Sequence, residues 1–297
     1  PANSTVQFAL PDTAKSSDIV INEVLFNPYT GGVDFVELFN RSTKALDLVN
    51  LQINNADEVT GALDQTVDIT SASRIMLPGE FVVLTKDPSI IRGTYNSAGL
   101  SSFITVTSLP SYNDDAGVVV LTNKAGEDID RFIYSDKMQF ALLNDDNGVS
   151  LERIDPERPS TEDNNWHSAA ATVGFATPGL KNSQYNESAS DGSEISIDPA
   201  VFSPDNDGKG DLLNIHYKFD RPGYTATVKI YSSTGRPVLD LVKSELLGTE
   251  EGSWSWDGIN KDNEKAPVGI YVLYIEAFTA GGDTKKIKKT CVLGAKL

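Results

Sequence analysis

The stretch INEVLFNPYTGGVDFVELFNRS, residues 21–42, decides the fold. Two short apolar runs, Ile19–Phe26 and Phe35–Phe39, flank a segment rich in Asn, Pro, Thr and Gly, the residues that turn a chain. Outward from this pair the same texture recurs. Polar turn residues punctuate the chain at intervals of about 8–12 residues, and the runs between them are short and rich in Val, Ile, Phe and Tyr. Further strands are predicted over Leu46–Ile53, Phe81–Leu84, Val118–Leu121 and Val149–Ile154, with single helical turns at Pro88–Arg92 and Ser160–Asn165. The pattern is all-β, of sandwich type.

A length of 297 residues suits two domains. The stretch NSQYNESASDGS (Asn182–Ser193) has one aromatic and no aliphatic side chain larger than Ala, too little apolar area to order itself. Strands then resume over Leu213–Phe219, Ala226–Tyr231, Val238–Val242, Trp254–Trp256, Gly269–Phe278 and Lys286–Leu293, enough for one immunoglobulin-like sandwich of roughly 100 residues. The division predicted is an extended lead-in over 1–16, a first sandwich over 17–183, a flexible linker over 184–193 and a second sandwich over 194–297. The chain begins Pro1-Ala2-Asn3 without Met, so a processed form or a piece of a longer protein is expected.

Acidic residues number 42 against 25 basic, a net charge of −17. That disfavours nucleic acid, which selects a basic face, and adhesion to an anionic membrane. No apolar run reaches the roughly 18–20 residues of a membrane-spanning helix, so no membrane insertion is expected. One Cys and two His leave no disulfide framework and no His-rich metal centre. Residues 1–187 hold 12 basic and 26 acidic residues, a net −14, and residues 188–297 hold 13 and 16, a net −3. The acidity belongs to the first sandwich, while Lys285, Lys286, Lys288, Lys289 and Lys296 crowd the C-terminus.

INEVLFNP (Ile21–Pro28) and DFVELFNRS (Asp34–Ser42) resemble the opening of the bacterial lamin tail domain, an immunoglobulin-like fold. In order follow LPGEFVVLT (Leu77–Thr85), the hairpin DDAGVVVLTNKAGEDIDRFIY (Asp114–Tyr134), NGVSLERID (Asn147–Asp155), Asn165-Trp166 and ATPGLKN (Ala176–Asn182). The resemblance implies extracellular attachment without shared catalytic residues. The second sandwich resembles the immunoglobulin-like C-terminal domains of secreted Bacteroidetes proteins, of hook-capping and gliding-motility type. The matching pieces are Ser203–Asp211, KIYSSTGRPV (Lys229–Val238), SWDG (Ser255–Gly258) and APVGIYVLYIEA (Ala266–Ala277). In that group such a domain often serves as a sorting signal for type IX secretion, while other members are retained structural modules. The resemblance points to Pro267, Gly269 and Tyr271 as sorting or interaction residues; Lys286, Lys288 and Lys289, which flank Ile287 in the last strand, either protect a sheet edge or are displayed to a secretion or attachment machinery.

Ser203-x-Asp205-x-Asp207-Gly208-x-x-Asp211 spaces oxygen ligands two residues apart around a Gly bend, as a hard cation such as Ca²⁺ requires. Ser203 stands where a full calcium loop has Asp and Asn214 where it has Glu, so a weak site is expected; ordinary solvated turns are the alternative. Glu23 and Glu37 are expected to face solvent or to pair with an Arg such as Arg153, Trp166 to be core, and His167 to lie at the surface. Asn144–Gly148 reads as a turn ending in Asn-Gly. Asp12-Thr13-Ala14 resembles a Bacteroidetes O-glycosylation motif, with Thr13 as acceptor.

The function expected is a non-catalytic part of a secreted or cell-surface protein, an attachment or spacer module with a sorting domain. Its partners are expected among surface proteins or the secretion machinery, with a cell-surface polysaccharide as a further one. Two rivals stand beside it: accessory domains of a larger secreted enzyme, and a structural subunit of a surface or translocation assembly.

Overall fold

A computed structural model describes residues 10–185 and 193–295. Most of the expected lead-in and linker, and Lys296, therefore lie outside the described residues.

Strand Ile19–Leu25 is buried at every one of its seven positions, as only a strand covered on both faces can be. It sits inside a six-stranded sheet ordered Trp166–Ser168, Leu151–Arg153, Ile19–Leu25, Phe35–Asn40, Phe81–Thr85 and Phe103–Thr105. A second sheet runs Asp128–Ser135, Ala116–Asn123, Leu51–Ala56 and Leu63–Asp68. One core joins residues of the two, among them Ile21, Val36, Leu38, Ile53, Leu121 and Phe132. The opposite face of the six-stranded sheet carries a smaller apolar cluster, in which Leu25, Phe35 and Val83 meet Ile91 and Tyr95. Those two partners belong to the helix Pro88–Thr94 and its C-terminal end. The helix starts cleanly because Asp87 accepts from the Ser89 amide and Pro88 occupies the first turn.

Two sequence expectations change here, and one strand is added. The run Leu46–Ile53 is not one strand. The Asp47 carboxylate accepts from the Val49 amide, which tightens Leu48–Asn50 into a 3₁₀ turn between strands Leu46–Asp47 and Leu51–Ala56. From Asp12 onward the expected lead-in is held to the sandwich: the Asp12 amide donates to Ala45 O at 2.8 Å, and Ala14 is buried in the core. Strand Leu63–Asp68 escaped the sequence reading because it is an exposed edge with no apolar alternation.

The second sandwich sets Ile195–Asp198, Leu213–Lys218 and Glu251–Trp256 against a five-stranded sheet. That sheet is ordered Val201–Phe202, Thr284–Leu293, Gly269–Phe278, Thr225–Ser232 and Pro237–Leu246. Trp254 and Trp256 fill the space between them, Trp256 lying 5.2 Å from the Phe202 ring and 5.1 Å from that of Tyr271. Cys291 is buried there as a small apolar residue, its thiol pushed up to about 12 by burial. The protein is all-β, built from two sandwiches.

Candidate functional site

Between strands Val201–Phe202 and Leu213–Lys218 the chain folds back on itself, the Ser203 amide donating to Gly210 O at 2.8 Å. Asp211 organises this loop. Its Oδ1 accepts the amides of Asp205 and Asp207, each at 3.2 Å, and its Oδ2 accepts that of Gly208 at 2.6 Å. The carboxylates of Asp205, Asp207 and Asp211 consequently converge, with oxygens within 4.8 Å of one another. Both Asp205 oxygens are sealed from solvent and have no hydrogen-bond partner. Ser203 is buried at the loop entrance. Asn214 is engaged elsewhere, accepting from Ser255 Oγ at 2.9 Å and donating to Asp198 O at 3.3 Å.

The loop also touches the first sandwich. Asn206 O accepts the Ala171 amide at 2.8 Å, Asn206 Nδ2 donates to Ala169 O at 3.2 Å, and Thr172 Oγ1 donates to Asp207 O. Gln184 Nε2 reaches Asn206 Oδ1 at 3.2 Å and Asp211 Oδ2 at 3.3 Å. Gly208 has φ +82° and approaches so closely that a Cβ there would lie 3.1 Å from Ala170 Cβ.

The expected sorting residues separate by face. Tyr271 points into the core, its hydroxyl donating to Pro267 O, and is 3% exposed. Pro267 is exposed beside it and Gly269 opens the strand. Alternation places Lys286 and Lys288 on the open face of the sheet and Lys289 on the inner side, half-buried across from Leu273. Lys286 pairs with Glu276 at 3.1 Å. Tyr274 stands between Lys229 and Lys288 on the neighbouring strands. Exposed Ile270 and Phe278 continue this face, so the strand Gly269–Phe278 is interior in its sheet with one face uncovered.

A third group stands differently from what the sequence suggests. Glu37, Glu23 and Glu152 lie side by side on three adjacent strands, on the face opposite the main core, and all three are fully buried. The expectation that Glu23 and Glu37 meet solvent or Arg153 is overturned. Arg153 alternates to the other face, where it bonds Asp130 at 2.9 Å and donates to Ile21 O at 2.7 Å. The glutamates are covered instead by the segment 176–184. Thr177 N donates to Glu23 Oε1 at 2.9 Å, Gly179 N to Glu37 Oε2 at 2.5 Å, and Gln184 N to Glu152 Oε2 at 3.0 Å. Thr177 Oγ1 lies 3.3 Å from Glu23 Oε2 and 2.6 Å from Glu152 Oε1. One hydroxyl hydrogen serves only one of these oxygens, so the Thr177 hydroxyl cannot donate to Glu23 and Glu152 together. Burial, reinforced by the neighbouring carboxylates, pushes Glu23 well above the usual range; burial lifts Glu37 to about 8 and raises Glu152 as well. The available signal was a Glu within a run whose neighbours are apolar on both faces.

Residues 12–136 match the family model of the Lamin Tail Domain, and residues 195–292 that of the CHU_C Type IX secretion signal domain. A lamin tail domain match is thus followed by a type IX secretion signal domain match, in the order expected from the sequence. No curated protein matches it. Among solved structures, dimeric latent PorU from Porphyromonas gingivalis is 13% identical with a TM-score of 0.27, over 97% of this chain and 20% of PorU. PorZ, an essential surface component of the type IX secretion system of the same organism, is 13% identical with a TM-score of 0.24, over 92% and 38%. CopC from Methylosinus trichosporium OB3b is 18% identical with a TM-score of 0.21, over 29% and 76%. The chain thus spans well under half of PorU and of PorZ.

The secretion signal domain marks export to the cell surface or exterior, and among the described residues no helix is long and apolar enough to cross a membrane. Within the lamin tail domain Thr13 is exposed, its amide bonded to Asp12 Oδ1 at 2.8 Å. Trp166 is core, stacked on Phe132 at 3.6 Å. His167 is also buried, against expectation, its ring 5.3 Å from that of Phe140 and its Nδ1 2.9 Å from Ser168 O. It sits on an edge strand whose outer side is closed over by Phe140. Asn144–Gly148 forms the expected turn, Gly148 taking φ +74° and Asp145 accepting the Asn147 amide.

Proposed function

We propose that this chain is an exported, non-catalytic surface module. Its lamin tail domain acts as the attachment or spacer unit, and its terminal domain carries the sorting information read by the type IX machinery. The observation that carries this reading is the order of the two matched domains, with the signal domain presenting an uncovered face of the Gly269–Phe278 and Thr284–Leu293 strands. Lys286 and Lys288 on that face are the residues assigned to recognition, while Tyr271 and Gly269 hold its shape. Surface proteins and a cell-surface polysaccharide are the partners assigned to the lamin tail domain. Thr13 is assigned as an O-glycan acceptor, because it is exposed while its neighbour Ala14 is anchored; intact mass from the native host is expected to show the added sugar.

The sorting assignment is tested in a host with a type IX system. Lys286→Glu with Lys288→Glu reverses two exposed charges without touching the core. Export is expected to fall at least tenfold, and likewise on deleting Ala266–Leu297, whereas Lys137→Glu in the first domain is expected to leave export unchanged. Full export of the double variant removes the lysines from the signal, and full export of the deletion removes the domain.

A further inference from the structure

We propose that the Ser203–Asp211 loop is a calcium site, and that filling it locks the joint between the two domains. Three observations converge. First, the oxygens of Asp205, Asp207 and Asp211 fall within 4.8 Å of one another. Oxygens around one calcium, at about 2.3–2.6 Å from it, lie no more than roughly 5 Å apart, so the cluster has the span of a single cation site.

Second, Asp205 is a buried charge with nothing to answer it. Neither carboxylate oxygen has a partner or accessible surface. Among the described residues no Lys, Arg or His pairs with any of the three aspartates. The nearby Lys265 ammonium is spent on Pro204 O, to which it donates at 2.6 Å. A sealed carboxylate without a donor is strongly unfavourable, and a divalent cation supplies the charge this group lacks. Asp211 accepts two hydrogen bonds at each of its oxygens and so shapes the loop, while Asp205 has both oxygens free for a metal and Asp207 has its Oδ2.

Third, the backbone that the cation would draw together is the backbone that holds the lamin tail domain. Asn206 O, Asp207 O and the face of Gly208 receive Ala171, Thr172 and Ala170, and Gln184 reaches Asp211 itself. Without the ion, mutual repulsion of the carboxylates opposes the closed loop and hence these contacts. With it, loop and joint close together. Since the coupling is thermodynamic, weakening the joint must also weaken the metal.

The test uses the full chain. Calorimetric titration with calcium chloride is expected to give one site of submillimolar to millimolar affinity, with magnesium at least tenfold weaker. Asp205→Asn is expected to weaken calcium at least tenfold. Asp207→Asn serves as a second variant, and circular dichroism confirms that both fold. Spin labels at Lys124→Cys and Lys243→Cys, one in each sandwich, are expected to show a distance distribution that narrows on adding calcium and stays broad in Asp205→Asn. Gln184→Ala, which leaves every aspartate intact, is expected to weaken calcium severalfold. No binding at roughly 10 mM calcium overturns the site. Equal affinity for magnesium overturns the choice of ion. Binding without narrowing, or an unchanged affinity in Gln184→Ala, overturns the coupling.

Discussion

The lamin tail domain and the signal domain each bury acids beside the joint, and they satisfy them differently. Around Glu23, Glu37 and Glu152, the segment 176–184 delivers amides and hydroxyls to the carboxylates, and a shared hydroxyl leaves room for a proton. In the Asp loop the donors all go to Asp211 and to one oxygen of Asp207, and Asp205 receives none. The contrast teaches that a buried carboxylate is not one kind of object. Burial biases the first cluster towards its neutral form within a dense hydrogen-bond network; the second, on the proposal above, is answered by a cation. Gln184 touches both, its amide on Glu152 and its side chain on Asp211.

The largest effect expected from breaking this contrast is in the pH dependence of stability. A carboxyl whose folded pKa lies above its unfolded value binds protons more tightly when folded. Its contribution is therefore greatest at acid pH and is lost as pH rises from about 4.5 towards 8 for Glu37. Asp34, raised to about 7 by burial, acts in the same direction, while His216, lowered by burial, opposes it below its ordinary value. Urea denaturation between pH 5 and pH 8 is expected to show a loss of roughly 3–5 kcal/mol. Next comes Gly179→Ala. Gly179 has φ +80°, and a Cβ there would meet Ala98 Cβ at 2.5 Å, so a loss of about 2–4 kcal/mol is expected by the same method. Thr177→Val removes the hydroxyl between Glu23 and Glu152 and is expected to cost about 1–3 kcal/mol, more at pH 8 than at pH 5. The smallest effect is the stabilisation by calcium itself, about 1 kcal/mol at tenfold excess over its dissociation constant, read as a calcium-dependent rise in melting temperature.

Much of this was legible in the residues. Alternating apolar runs and regular turns announced two sandwiches, and the Ser203–Asp211 spacing announced an acidic loop before its carboxylates were seen to converge. What stayed hidden had physical reasons. Leu63–Asp68 is an edge strand whose pairing leaves no hydrophobic mark. Glu23 and Glu37 look solvated because their cover, Thr177 and Gly179, lies some 140 residues or more away in the chain. The ATPG segment carried no hint that its glycine and threonine answer buried acids. Nor did the local sequence show that Asn206 and Gly208 serve the other domain as well as their own loop.

The most direct measurement of the central contrast is the melting temperature of the full chain at pH 5 and pH 8, each with chelator and with millimolar calcium, for the native chain, Glu23→Gln and Asp205→Asn. The native chain is expected to melt higher at pH 5 and, at pH 8, higher with calcium. Glu23→Gln, whose amide can donate to Thr177 as the protonated acid does, is expected to flatten the pH response and keep the calcium response. Asp205→Asn is expected to abolish the calcium response, keep the pH response, and melt above the native chain in chelator because an unanswered charge is gone. A melting temperature that rises with pH, or an Asp205→Asn chain that keeps the full calcium response, would contradict the assignment of a proton to one cluster and a cation to the other.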